Sequence, residues 1–138
     1  MKVHHVGFLV KNLEKSERQF MDLGYKIEFV KRFDPIRNVN IEFLLNDNYR
    51  IELIEPVNKT SELFSSIKKY KNQPYHICYI TDDINKTIDE LLDKHFIVIK
   101  TPETAPCIEN KKVAFLSGVG IELIELLEER EEYQDGFE

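Results

Sequence analysis

The chain has 138 residues, of which 42% are hydrophobic and 32% charged, a composition that is typical of one globular domain and excludes a disordered or fibrous protein. Its formal net charge of -6 and its acidic C-terminal tail argue against nucleic acid and anionic membranes as partners. No apolar run approaches the roughly 18 residues that span a bilayer, and no signal-peptide segment is apparent, so we expect a cytoplasmic protein whose two cysteines are reduced.

Residues 1–57 predict a first module with the order βαβββ. The opening strand is VHHVGFLV, and the helix after it begins near Asn12 and ends at Gly24, because glycine tolerates the positive φ that closes many helices. Three further strand patterns are YKIEFVKRF, VNIEFLLN and RIELIEPV, with a hairpin turn at NDNYR between the last two. The first module therefore contains four strands and one helix.

Residues 58–73 form a polar linker between the modules. We predict a helix in it around Ser61 to Tyr70, ended by Pro74, since proline cannot continue a helix.

Residues 74–128 predict a second βαβββ module, which repeats the first at an offset of 71 residues and brings His76 onto His5. Its helix has Asp83 as N-cap and an amphipathic stripe made of Ile84, Thr87, Ile88, Leu91 and Leu92. Strands FIVIK, KVAFLS and IELIELLE follow, with TPETAPCIENKK as a loop and SGVG as a hairpin turn. The tail 129–138 is expected to fray. The chain is thus predicted to be an α+β protein with two tandem modules.

The two adjacent histidines of the opening strand are not equivalent. Strand side chains alternate between faces, which puts His5 with Gly7 and Leu9 and puts His4 on the other face with Val6. Since His5, and not His4, meets His76 in the repeat, His5 is the candidate ligand.

Each module also ends in a strand that carries glutamate. Glu52 in the first module can correspond to Glu122 or to Glu125 in the second, because the two strands align in two registers. Matching ELIEP to ELLEE selects Glu125 and leaves the two hairpins nearly equal in length. Odd spacing puts Glu122 and Glu125 on opposite faces, so that only one of them can point the same way as the histidines.

Under this register the repeat brings together His5, Glu52, His76 and Glu125. Two imidazoles with two carboxylates suit a divalent Co, Mn, Ni, Zn or Fe ion and leave positions open for substrate oxygens. A single strand histidine is more often structural, and a single glutamate is more often solvated. Their recurrence at equivalent points of two apolar modules favours a metal site.

The stretches HHVGFLVKNLEK, IELIEP, YHICYITDDI and KKVAFLSGVGIELIELLE resemble the vicinal oxygen chelate superfamily, which includes glyoxalase I, dioxygenases and bleomycin resistance proteins, and within it the methylmalonyl-CoA epimerases. The resemblance implies modules that curl into an open, cupped, mixed β-sheet barrel around a metal, usually in a homodimer. It implies that the metal ligands are His5, Glu52, His76 and Glu125. Epimerases can carry glutamine where this chain has Glu52, and two carboxylates resemble glyoxalase I more.

The function that the resemblance implies is metal-dependent epimerisation through an enolate, with an acyl-CoA such as methylmalonyl-CoA, or a similar carbonyl compound, as substrate. Glu125 and Glu52 are the expected acid and base, on opposite sides of the substrate carbon. One alternative is a glyoxalase I-like isomerase, and another is a non-catalytic binding protein of the bleomycin-resistance type.

Loop cations could form a basic rim for the phosphates of a coenzyme. The candidates are Lys31, Arg32, Arg37, Lys111 and Lys112, although solvated loop charges are the preferred interpretation. Asp34, Tyr75 and Tyr79 are further candidates for the site, with a structural role preferred.

Overall fold

A computed structural model describes residues 1–130 of the chain. The predicted tail therefore lies outside the described residues from 131 onward. The elements are β1 (Val3–Leu9), α1 (Leu13–Asp22), β2 (Lys26–Asp34), β3 (Val39–Asn46), β4 (Tyr49–Pro56), α2 (Ile67–Tyr70), β5 (Gln73–Thr81), α3 (Ile84–Asp93), β6 (Ile97–Ala105), β7 (Lys111–Gly118) and β8 (Glu122–Glu128).

The strands form one mixed eight-stranded sheet in the order β2-β3-β4-β1-β5-β8-β7-β6. Within each half, the first strand pairs in parallel with the last, β1 with β4 and β5 with β8, and the remaining pairs are antiparallel. The two halves meet where β1 pairs antiparallel with β5. This curled half-barrel confirms the α+β fold with two βαβββ modules.

The two long helices pack on the sheet as the hydrophobic spacing predicts. The side chains of Asn12 and Asp83 accept hydrogen bonds from backbone N–H groups in the first turns of α1 and α3, so both predicted helix starts are confirmed. On the side of α1, Phe8 contacts Phe20 with a centroid distance of 5.1 Å. Gly24 has φ of 102° just after α1, which confirms its role in ending the helix.

The predicted linker helix is wrong in its extent, because only Ile67–Tyr70 is α-helical. Before it, the backbone N–H groups of residues 61, 64, 66 and 67 bond to carbonyls three residues earlier, which gives successive turns. The Ser61 hydroxyl donates to the carbonyl of Arg37 and ties these turns to the first module. Leu63 and Ile67 pack on the central core. Tertiary contacts therefore override the local helical tendency.

The predicted loop TPETAPCIENKK is also partly wrong, since its first five residues belong to β6. Glu103 pairs with Val113 and Ala105 with Lys111, which extends the hairpin. Pro102 is tolerated because β6 is an edge strand, where a missing N–H interrupts no inner ladder.

The prediction that His4 faces away from His5 is wrong, because β1 contains a bulge. Val3 pairs with Tyr79 and His5 with Cys78, which leaves His4 as an extra residue between them. A bulge re-aims the side chain of its extra residue. The His4 ring consequently lies beside His5, with 2.8 Å between their Nδ1 atoms.

No helix within residues 1–130 is long and apolar enough to cross a membrane.

Candidate metal centre

The side chains of the four predicted ligands lie together at the middle of the sheet. His5, Glu52, His76 and Glu125 have only 1%, 3%, 5% and 1% of their surface exposed. Each offers one ligand atom, and these atoms all lie within 4.8 Å of one another. Glu122, the alternative to Glu125, is exposed at the start of β8 and is not part of this group.

Strand pairing explains why the two glutamates occupy equivalent positions. Glu52 is the partner of Gly7 in the parallel pair β1–β4, and Glu125 is the partner of Cys78 in the parallel pair β5–β8. Gly7 and Cys78 are themselves 71 residues apart, the offset of the repeat. The structure thus has the register that matches Glu52 with Glu125.

The four ligand atoms form a closely spaced set. His5 Nε2 lies 3.1 Å from His76 Nε2, 3.1 Å from Glu52 Oε1 and 3.2 Å from Glu125 Oε1. His76 Nε2 lies 3.0 Å from Glu125 Oε1 and 3.5 Å from Glu52 Oε1. All of these atoms face one common point.

These residues fit a divalent metal ion. Ligand atoms about 2.0–2.2 Å from one ion, in neighbouring coordination positions, are separated from each other by about 3 Å. Glu125 Oε1 is within ion-pair distance of both imidazoles, yet this buried atom makes no hydrogen bond in the described part of the chain. Nitrogen and carboxylate donors that converge without bonding to one another are typical of a metal site.

Without a metal, the four groups hold one another by charge. Burial lowers the pKa of His5, but Glu52 and Glu125 outweigh it and raise this pKa to about 9. The pKa of His76 is raised in the same way, against the effect of burial. Burial raises the pKa of Glu52, but His5 and His76 outweigh it and bring it to about 2, and the histidines likewise lower the pKa of Glu125. Both carboxyl groups are therefore ionised at neutral pH.

Two aromatic rings and a glycine shape the walls of the centre. Phe43 packs edge-on against His5 at 5.4 Å between centroids, and Phe115 packs edge-on against His76 at 5.7 Å. A Cβ at Gly7 would lie 2.7 Å from Nδ1 and 2.8 Å from Nε2 of His76, so only glycine leaves room for that ring. Sequence reasoning missed these three residues, although Phe43 and Phe115 were aligned with each other in the repeat.

His4 and Cys78 lie behind His5. Burial, then the charges of His5 and Arg50, lowers the pKa of His4 to about 4, so its ring is neutral at pH 7. With His5 Nε2 facing the centre, the proton of His5 belongs on Nδ1, where it is donated to His4 Nδ1. Burial, with Glu125 and Glu52, raises the pKa of the Cys78 thiol, which is uncharged.

A cavity of about 220 Å³ leads to the centre. Glu52, His76 and Glu125 lie on its wall with a largely apolar set of neighbours: Val39, Ile41, Ile54, Leu63, Tyr75, Ile99, Phe115 and Leu123. Arg37 and Lys100 are cations that line the same cavity. The linker segment covers one side of it through Leu63 and Ser66.

The structure separates the other candidate residues. Arg37 and Tyr75 line the cavity, whereas Asp34 is fully buried beneath Arg37. The remaining cations of the predicted rim, and Tyr79, do not line it: Lys31 pairs with Glu14, Arg32 donates to the carbonyl of Cys107, Lys111 pairs with Glu129, and Tyr79 packs beneath α3. The predicted rim is therefore not a continuous feature of this cavity.

Comparisons with known proteins agree with this geometry. Residues 4–115 match the model of the Glyoxalase/Bleomycin resistance protein/Dioxygenase superfamily. The mitochondrial methylmalonyl-CoA epimerase of Bos taurus is 30% identical over 91% of this chain and 73% of its own length. An ethylmalonyl-CoA/methylmalonyl-CoA epimerase of Cereibacter sphaeroides is 27% identical over 83% of this chain and 87% of its own. The solved structure of a hypothetical protein from Bacillus halodurans superposes with a TM-score of 0.83 at 26% identity, covering 97% of this chain and 98% of that one.

Proposed function

The chain belongs to the Glyoxalase/Bleomycin resistance protein/Dioxygenase superfamily, and from that premise we propose that it is a metal-dependent epimerase of a 2-substituted acyl-CoA such as methylmalonyl-CoA. The observation that carries the proposal is the set of four ligand atoms from two histidines and two glutamates, all within 4.8 Å of one another on the wall of a small apolar cavity. Relatives named as methylmalonyl-CoA epimerases support the choice of substrate.

In this proposal His5, Glu52, His76 and Glu125 hold a divalent Co, Mn, Ni, Zn or Fe ion. When bound, such an ion supplies Lewis acidity, which polarises a substrate carbonyl and makes the proton on the adjacent carbon easier to remove. The histidines bind it as neutral imidazoles, so each must first give up the proton that the carboxylates favour.

Glu52 and Glu125 are the proposed proton-transfer groups. Both line the cavity, and the lowered pKa of each keeps it ionised and able to accept a proton. One of them removes the α-proton, and the other, or a water molecule, returns a proton on the opposite face of the carbon. The apolar walls limit the access of bulk water, so that the exchanged proton stays with the site.

The first test is proton exchange. Metal-loaded protein incubated with racemic methylmalonyl-CoA in deuterated water should introduce deuterium at the α position, measured by mass spectrometry. Glu125→Gln should lower the exchange rate by about 10²–10⁴-fold, the usual range for loss of a general base, while circular dichroism shows an unchanged fold. Full retention of the rate would remove Glu125 from the role of base.

The control is the metal itself. Protein purified without added metal should contain a stoichiometric divalent ion, and chelation should abolish exchange. A protein without any such ion would indicate a binding protein of the bleomycin-resistance type. Bound metal without exchange on methylmalonyl-CoA, but with turnover of the hemithioacetal of methylglyoxal and glutathione, would indicate a glyoxalase-like isomerase.

We extend the proposal to a homodimer in a reducing compartment such as the cytoplasm. The edge strand β2 and the turn after it expose large apolar side chains, which a second copy would cover: Ile27, Phe29, Val30, Phe33 and Ile36. Both cysteines are free thiols, which supports a reducing environment. A monomeric mass in light scattering would contradict the dimer.

A further inference from the structure

We infer that Arg37, with Lys100 beside it, makes one end of the cavity an anion-recognition subsite, so that the protein selects substrates that carry a carboxylate on the acyl group itself. The inference rests on the proposed function in one respect, that this cavity receives the substrate. It adds the chemical property by which a substrate is chosen.

Arg37 is placed next to the candidate metal centre by Phe115. The guanidinium carbon of Arg37 lies 5.4 Å from the centroid of the Phe115 ring, and the same ring contacts His76 at 5.7 Å between centroids. Stacking on an aromatic face orients a guanidinium without using its N–H donors. An anion bound by Arg37 would therefore lie near the ligand residues and not at the outer surface.

Asp34 holds Arg37 in this place from behind. The Asp34 carboxylate is fully buried and accepts hydrogen bonds from the backbone N–H of Ile36 at 2.8 Å and of Arg37 at 3.1 Å. It also accepts from Arg37 Nη1 at 3.4 Å. The turn between β2 and β3 and the side chain that it carries are thus fixed by a single carboxylate. This arrangement preorganises Arg37 for a ligand.

One nitrogen of Arg37 has hydrogen-bonding capacity left over. Nη2 is buried and makes no hydrogen bond in the described part of the chain, and its ion-pair partner Glu103 Oε1 lies 3.8 Å away, beyond hydrogen-bond distance. That carboxylate oxygen is likewise buried without a hydrogen bond. Buried guanidinium donors are normally satisfied. A small shift of Glu103 would let a ligand carboxylate take up this donor with the bidentate geometry that arginine favours.

The charges that line the cavity favour the same class of ligand. Glu52 and Glu125 are balanced by a divalent ion, and Lys100 forms an ion pair with Glu62 at the mouth. Arg37 then remains as the excess positive charge of the lining residues. A cavity of about 220 Å³ accommodates a short branched acyl group and not a whole coenzyme, so the selected charge belongs to the acyl group.

The test compares two thioesters that differ only in the carboxylate, methylmalonyl-CoA and isobutyryl-CoA. Titration calorimetry on metal-loaded protein should show tighter binding of methylmalonyl-CoA, by tenfold or more. Arg37→Met should remove most of this preference by weakening methylmalonyl-CoA alone, and Arg37→Lys should restore part of it. The matched control is Arg32→Met on the same strand, because Arg32 does not line this cavity and should leave the preference unchanged. Metal content and melting temperature are measured for every variant.

Free methylmalonate is titrated as well, so that recognition of the charge is measured without the coenzyme. Wild-type binding that Arg37→Met weakens at least tenfold supports the subsite, even if no deuterium exchange occurs and the proposed epimerase function fails. Exchange with an unchanged KM for methylmalonyl-CoA in Arg37→Met overturns the subsite and leaves the function standing. Absence of methylmalonate binding by the wild-type protein also overturns it.

Discussion

At the scale of single residues, Gly7 matters for the side chain that it admits. The ring of His76 occupies the space where a Cβ of residue 7 would be, since β1 and β5 pair with Gly7 opposite His76. Any larger residue must displace the imidazole or separate the two strands. The position of a candidate ligand in the second module therefore depends on a glycine of the first.

We expect Gly7→Ala to fold but to bind divalent metal at least about tenfold more weakly, because overpacking by one methyl group typically costs about 1–3 kcal/mol. Competition with a chromogenic chelator measures this affinity. Gly120→Ala is the matched control, since a Cβ there meets nothing within 4 Å. Equal metal affinity in the wild-type protein and Gly7→Ala would contradict the fixed position of His76.

At the scale of elements, each module carries a bulge in its first strand, one residue before the histidine. In β1 the extra residue is His4, and in β5 the register shift between Gly7 and Phe8 leaves Tyr75 as the extra residue. His4 and Tyr75 are also equivalent in the repeat, 71 residues apart. The same backbone irregularity turns His4 to support His5 and turns Tyr75 to line the cavity beside His76.

The bulge predicts a positioning role for His4. Because His5 Nδ1 bonds to His4 Nδ1, His4→Ala should free the His5 ring to rotate and weaken metal binding by about 10–100-fold, the usual effect of losing the partner of a ligand histidine. The visible spectrum of the Co²⁺-loaded protein should change with it. His5→Ala should weaken metal binding more than His4→Ala does. The reverse order would make His4 the ligand and contradict the strand register.

At the scale of the whole molecule, the pairing of β1 with β5 buries four ionisable groups where the modules meet. In the metal-free protein these groups stabilise the fold as imidazolium–carboxylate pairs. The His5 contribution is complete below its unfolded pKa of about 6.5 and is lost as pH rises through about 9. The Glu52 contribution is present above about 4.5 and is lost as pH falls through about 2.

Metal-free protein should accordingly be most stable near pH 5–6 and should lose on the order of 1–3 kcal/mol of its free energy of unfolding by pH 9. Metal binding should have the opposite dependence, because the histidines must release protons to bind, and its stabilisation should grow over the same range. Urea unfolding at pH 6 and pH 9, with and without metal, measures both slopes. Parallel slopes would show that the metal does not bind these histidines.

Much of the fold follows from local pattern. The spacing of apolar residues and the caps Asn12 and Asp83 predict both long helices correctly, because capping and burial of one helix face are local effects. The linker helix and the end of β6 were predicted wrongly, because tertiary contacts of Leu63 and the pairing of Glu103 decide them. No sequence pattern reports such contacts.

The sequence by itself determined the duplicated βαβββ order and, through the repeat, the four residues that the structure brings together. These follow from periodicity and from the 71-residue offset, which can be read along one chain. Only the tertiary structure decided that His4 supports His5, that Gly7 admits His76 and that Arg37 stacks on Phe115 beside the centre. A bulge, a missing Cβ and a contact between modules depend on strands distant in sequence packing against each other, and a one-residue shift in that packing would change all three.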